Sequence, residues 1–150
     1  MFYQTDPNLG FTAKTDCYLF DLLKIHELVG KHEFTRDQVK TIRDFCDRAE
    51  FIGEDGYINK GGVSGVASVA SGITHKHVYM QRVDNTGRYT HILAHYARVA
   101  ISKEVIDHFV LADFDDPFHK VEWDPWSEAG ALTTRKGKVV DLRFIFAEAI

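Results

Sequence analysis

Cysteine is scarce in this 150-residue chain, where Cys17 and Cys46 are the only two. Two thiols make neither a disulfide framework nor a thiolate zinc site, and they point to a reducing compartment. Cationic excess is lacking too, because 18 Lys and Arg stand against 22 Asp and Glu for a formal charge of −4. Without a basic stripe to track phosphates, nucleic acid is not an expected partner. No window approaches the ~18 apolar residues of a membrane span. The opening MFYQTDPNLGF also has no basic segment followed by an apolar run, so it does not read as a secretory signal. The expectation is a cytoplasmic protein with no membrane partner, unless a phage particle or lysis carries it out. Internal repeats, low-complexity stretches and linkers are missing as well, which leaves no place for a domain boundary.

What is present is enough for one core: 45% of the residues are hydrophobic and 13% aromatic. A single domain over residues 1–150 follows. In DCYLFDLLKIHELVG, Tyr18, Leu22, Ile25 and Leu28 recur at helical spacing, with Asp16 as N-cap and Gly30 just past the end. A second helix follows a Thr35 cap, with Val39, Ile42, Phe45, Cys46 and Ala49 on one face. The small residues of VSGVASVASGI suit a short buried helix, although two internal glycines argue against it. From His77 onward the period changes. HVYMQRVD, RYTHILAHYARV, VIDHFVLADF, HKVEWDPW and VVDLRFIFAEA read as four or five antiparallel strands. Helices first and strands afterwards predict an α+β domain, its N-terminal helices packed on a C-terminal antiparallel sheet.

Three residues carry the chemistry. A cysteine in the first turn of a helix meets the positive end of the helix dipole, which favours thiolate, so Cys17 is a candidate nucleophile; the competing reading is a small core residue. His108 opens HFVLADF, where alternation sends Phe109 and Leu111 to one face and His108, Val110 and Ala112 to the other. A turn at FDDPF folds the next strand back and brings Asp124 towards His108, so that a carboxylate would orient the imidazole. Trp123 and Trp126 flank Asp124 and are expected to shield it. Other constellations are weaker. His91 and His95, with His75 and His77 nearby, invite a metal site, but THILAHYARV lacks the glutamate of a His-Glu-x-x-His motif and reads equally well as a strand. GGVSGVASVASG lacks the Gly-Lys-Ser/Thr end of a phosphate loop, and DFDDPFH reads as a solvated turn. No metal and no cofactor is expected.

TDCYLFDLL, DHFVLADF and EWDPWS together resemble the papain-like cysteine peptidases, and most closely the branch of bacteriocin-processing leader peptidases. A family of phage and bacterial proteins without assigned function is similar in layout. The resemblance runs from Cys17 to Ser127 and implies a papain-like fold with a Cys17, His108 and Asp124 triad. It also implies a glutamine upstream of the cysteine for the oxyanion, and Gln4 is the only one there, 13 residues before Cys17 (17 − 4). That gap exceeds the family's usual one, and Cys17-Tyr18 stands where leader peptidases have Cys-Gly. The implied activity is hydrolysis of a peptide, isopeptide or amide bond, with a peptide leader or a peptidoglycan cross-link as substrate. The alternative keeps the scaffold without the reaction, as an inactive phage-particle or binding protein.

Overall fold

The computed structural model describes residues 1–9, 16–53, 57–101 and 104–150. A short 3₁₀ turn, Pro7–Leu9, precedes helices α1 (Cys17–Gly30), α2 (Arg36–Arg48) and α3 (Gly62–Thr74). Strands β1 (Val78–Val83), β2 (His91–Ile101), β3 (Glu104–Ala112) and β4 (Val121–Trp123) come next, then helix α4 (Glu128–Thr134) and strand β5 (Lys138–Ala149). The fold is mixed α+β, and the strands form one antiparallel sheet in the order β1-β5-β2-β3-β4. The last strand thus inserts between the first two.

Alternation along the strands divides the core into two layers. Val78, Met80, Leu93, Phe109, Leu111, Ile145 and Ala147 face α1 to α3 in the larger cluster. Ile92, Ala94, Tyr96, Val110 and Ala112 face the other way with Trp126, where α4 packs against β2 and β4. Helix α1 is the central element. Residues 17–23 are all buried, as expected of a helix apolar on nearly every side. Leu28, at the outer end of the same spacing, is 45% exposed. Gly30 is still helical, and Lys31 takes the left-handed capping position instead, at φ 54°.

Helix α2 starts at Thr35 with a full capping box, in which Thr35 Oγ1 accepts from Gln38 N and Gln38 Oε1 accepts from Thr35 N. Its buried face is Val39, Ile42 and Cys46. Phe45 is 54% exposed, because one helical step of about 100° turns it off the Val39–Cys46 stripe. Of the two internal glycines of α3, Gly65 has a packing reason, since a Cβ there would lie 2.6 Å from the Phe51 ring, whereas one at Gly72 would meet nothing within 4 Å. In DFDDPFH, Asp113 Oδ1 accepts from the amides of Asp115 and Asp116, an Asx-type turn joining β3 to β4.

A bulge sits beside the candidate site. The β2–β3 register runs evenly to Tyr96↔His108, then shifts before Val99↔Ile106. Arg98 absorbs the extra residue at φ 61°, and its amide donates to Asp107 Oδ1 at 2.9 Å. Such an insertion twists the pair locally and fixes where the neighbouring side chains point.

Candidate active site

His108 lies on the α4 side of β3 and is fully buried. The indole of Trp126 stacks on its imidazole with ring centroids 3.4 Å apart and planes 5° from parallel. Asp124 follows β4 and is held by its own local turn. Its Oδ1 accepts from Trp126 N at 2.8 Å across Pro125, whose ring fixes φ. His108 Nε2 is 3.4 Å from Asp124 Oδ2, a long approach.

Thr134, the last residue of α4, closes that gap, and the sequence analysis did not single it out. Its hydroxyl donates to Asp124 Oδ2, and its Oγ1 lies 2.8 Å from His108 Nε2. A hydroxyl has one proton, and here the carboxylate takes it, so Oγ1 must accept from Nε2–H. In the neutral ring Nδ1 is then the unprotonated nitrogen. That nitrogen is buried and has no hydrogen-bond partner among the described residues.

Cys17 opens α1, and its Sγ accepts from the amide of Phe109 at 3.3 Å. Strand amides lie in the plane of the sheet, so the sulfur sits at the edge of β3 where the short β4 has ended. It therefore abuts the residue next to His108, on the helix side of the strand. No hydrogen bond joins Sγ to Nδ1. Position at a helix start predicted a thiolate, but burial dominates. Loss of solvent pushes the Cys17 thiol far up, the Asp21 charge adds to this, and the amides of Phe109 and Tyr18 oppose it. The resting sulfur is a thiol.

Gln4 reaches the same neighbourhood by its backbone, whose N donates to Pro125 O at 2.6 Å. The flanking residues reinforce the contact: Tyr3 stacks on Trp123 at 5.9 Å, and Thr5 Oγ1 donates to Trp126 O at 2.6 Å. The N-terminal segment is thus laid along residues 123–126. Gln4 is 5% exposed.

Asp21 is a further residue that the sequence analysis passed over. One turn after Cys17, it is fully buried, and among the described residues neither carboxyl oxygen has a side-chain partner. Burial, then the charge of Asp124, raise its pKa well above the usual carboxylate range, opposed by the Leu111 amide. Its signal was a lone acid in CYLFDLL, on an otherwise apolar helix. Thr134 had no comparable signal, since TTRKGK reads as a turn.

His91 and His95 both lie on β2, not on a helix. Among the described residues no three His, Cys, Asp or Glu side chains gather as a metal site, and no helix is long and apolar enough to cross a membrane. No family model, curated protein or solved structure matches this chain. The geometry of the site is the ground for a functional reading.

Proposed function

We propose that the chain is a papain-like thiol hydrolase that cleaves a peptide, isopeptide or other amide bond. The observation that carries this reading is the Asp124–Thr134–His108 relay, which leaves Nδ1 bare and buried beside the strand residue whose amide holds the Cys17 sulfur. Because the sulfur rests as a thiol, His108 acts first as general base. Nδ1 takes the Sγ proton as sulfur attacks the carbonyl carbon, and the imidazolium returns that proton to the leaving amine. The resulting thioester is hydrolysed by water activated at the same nitrogen. Asp124 and Thr134 position the ring, Trp126 covers it, and Gln4 is the side-chain donor assigned to the oxyanion. A peptide leader and a peptidoglycan-like cross-link both contain the bond required.

One observation favours the alternative of an inactive particle or binding scaffold: the Cys17 side chain is fully buried and protonated. Cys46 provides an internal control. It is equally buried, and burial pushes its thiol up to about 12. With iodoacetamide near pH 7 and peptide mass mapping, Cys17 is expected to alkylate about tenfold or more faster than Cys46, the advantage of a thiol with a neighbouring base. His108→Ala is expected to erase that preference. Equal rates, or Cys46 reacting first, would leave the inactive scaffold as the reading.

Thr134 admits a separate test as a positioning residue. Thr134→Val keeps the shape and removes the hydroxyl, so Nε2 loses its bridge to Asp124. Acylation of Cys17 by p-nitrophenyl acetate is expected to slow by about 10- to 100-fold, the scale of one buried hydrogen bond to a charged network. Thr134→Ser should restore most of the rate. A valine variant that acylates at the wild-type rate would remove Thr134 from the relay.

A further inference from the structure

Between β1 and β5, side chains form a second polar centre that the proposed reaction does not use. A pocket of about 250 Å³ is lined by Lys60, Arg82, Asp84, Asn85 and Arg143, with Phe144. Arg143 links it to the site. Its guanidinium lies 4.7 Å from the ring centroid of Phe109 and 5.2 Å from that of Tyr18. Phe109 is the residue whose amide binds the Cys17 sulfur, and Tyr18 follows Cys17 in the chain.

The charges there do not cancel. Arg143 Nε is paired with Asp141 Oδ2 at 3.0 Å, and Lys60 meets Asp84 at 4.0 Å on the rim, where both are largely exposed. Arg82 has no ion pair or hydrogen bond among the described residues and is half-buried. Three cations against Asp84 and Asp141 leave one positive charge (3 − 2 = +1). A half-buried guanidinium without a counter-ion is costly to keep and well shaped to accept a planar anion. Tyr18 lies beside Arg143: its hydroxyl is buried, burial raises its pKa, and the charge and hydrogen bonding of Arg143, then the charge of Arg82, lower it.

We propose that this pocket is a carboxylate subsite, in which Arg82 and Arg143 hold an acidic group of the substrate, separated from the Cys17 sulfur by the rings of Phe109 and Tyr18. A carboxylate suits the single uncompensated charge, and its two coplanar oxygens suit a guanidinium fork. As a statement about substrate this deepens the hydrolase reading and rests on it: the amide cleaved belongs to a peptide that carries a carboxylate close to the scissile bond.

The binding step can be measured without any turnover. In ¹H–¹⁵N spectra of the whole chain at low salt and pH 7, N-acetylglycine is expected to shift the amides of Arg82, Asp84, Asn85 and Arg143 saturably, whereas neutral N-acetylglycinamide is not. Arg82→Gln should weaken binding by about tenfold or more, the loss of a charge-assisted hydrogen bond, and Arg82→Lys by less. Should Arg82→Gln fail to fold, the exposed Lys60→Gln is expected to weaken binding by about threefold through its charge alone. No saturable shift, equal response to the amide, or unchanged affinity in these variants would overturn the proposal. Tighter binding of inorganic phosphate would overturn it as a carboxylate site. Running this titration beside the alkylation assay on the wild-type chain separates the two readings, because a chain that binds N-acetylglycine but shows no His108-dependent alkylation keeps the pocket and loses the reaction.

Discussion

His108→Ala is expected to lower the rate of Cys17 acylation by about 10³-fold or more, the largest effect of any single change in this molecule. The size follows from the state of the sulfur. In many thiol enzymes a preformed thiolate retains part of its reactivity when the base is lost, but here burial and the nearby Asp21 keep the proton on Cys17. Without Nδ1 the only remaining route is deprotonation by water in a site the sulfur does not share with solvent. The readout is the burst of p-nitrophenolate from p-nitrophenyl acetate, expected at one equivalent per chain in the wild type and lost in the variant. Alanine at 108 also opens a space against Trp126, since the two rings stack at 3.4 Å. His108→Gln therefore accompanies it, filling the site without a base. Both variants should be slow while their circular dichroism stays native. A burst of normal rate in either folded variant would show that His108 is a core residue and Cys17 reacts by another route.

How much of this was legible from the residues depends on the distance over which each choice is made. Thr35 and Gln38 specify the start of α2 within four residues, because a capping box is a local bargain between two side chains and two amides. The strands after His77 were readable for the same reason, as alternation is set by the backbone. The failures are all non-local. The sequence TTRKGK gives no hint that Thr134 ends a short helix packed against β2 and β4. Its role exists only because α4 carries it across the sheet face to His108 and Asp124. Nor does any local pattern place β5 between β1 and β2, which is what brings Arg143 over Phe109. The thiolate expected at Cys17 failed differently. The helix terminus does stabilise charge, but a fully buried sulfur facing a carboxyl one turn away loses more by desolvation than the dipole returns. That competition is settled by packing, and no spacing in TDCYLFDLL expresses it.

Asp21→Asn is expected to stabilise the folded chain, and to do so more as the pH rises. Asp21 has an unfolded-state pKa near 3.8, while burial and the charge of Asp124 raise its folded-state value well above that. Between those two values the unfolded chain releases a proton that the folded chain keeps. The unfolded state then binds fewer protons, so stability falls with rising pH, by up to about 1.4 kcal/mol per pH unit for one group. Asp21's favourable contribution is complete below about pH 4 and is lost as the pH climbs through its folded-state pKa. Asparagine has nearly the same shape and no proton to lose. Urea unfolding of both chains at pH 4, 5, 6 and 7 should therefore give similar stabilities at pH 4 and a widening gap above it, with the variant ahead. Parallel curves would mean that Asp21 is ionised in the folded chain and finds a partner there. The groups facing it are Asp124, Cys17 and the amide of Leu111, so the titration bears on the site as well. While Asp21 holds its proton, it puts no second negative charge beside Asp124, the carboxylate that Thr134 and His108 are oriented around. An asparagine at 21 preserves that neutrality at every pH. It is accordingly expected to leave the His108-dependent burst in place while removing its decline where Asp21 would ionise.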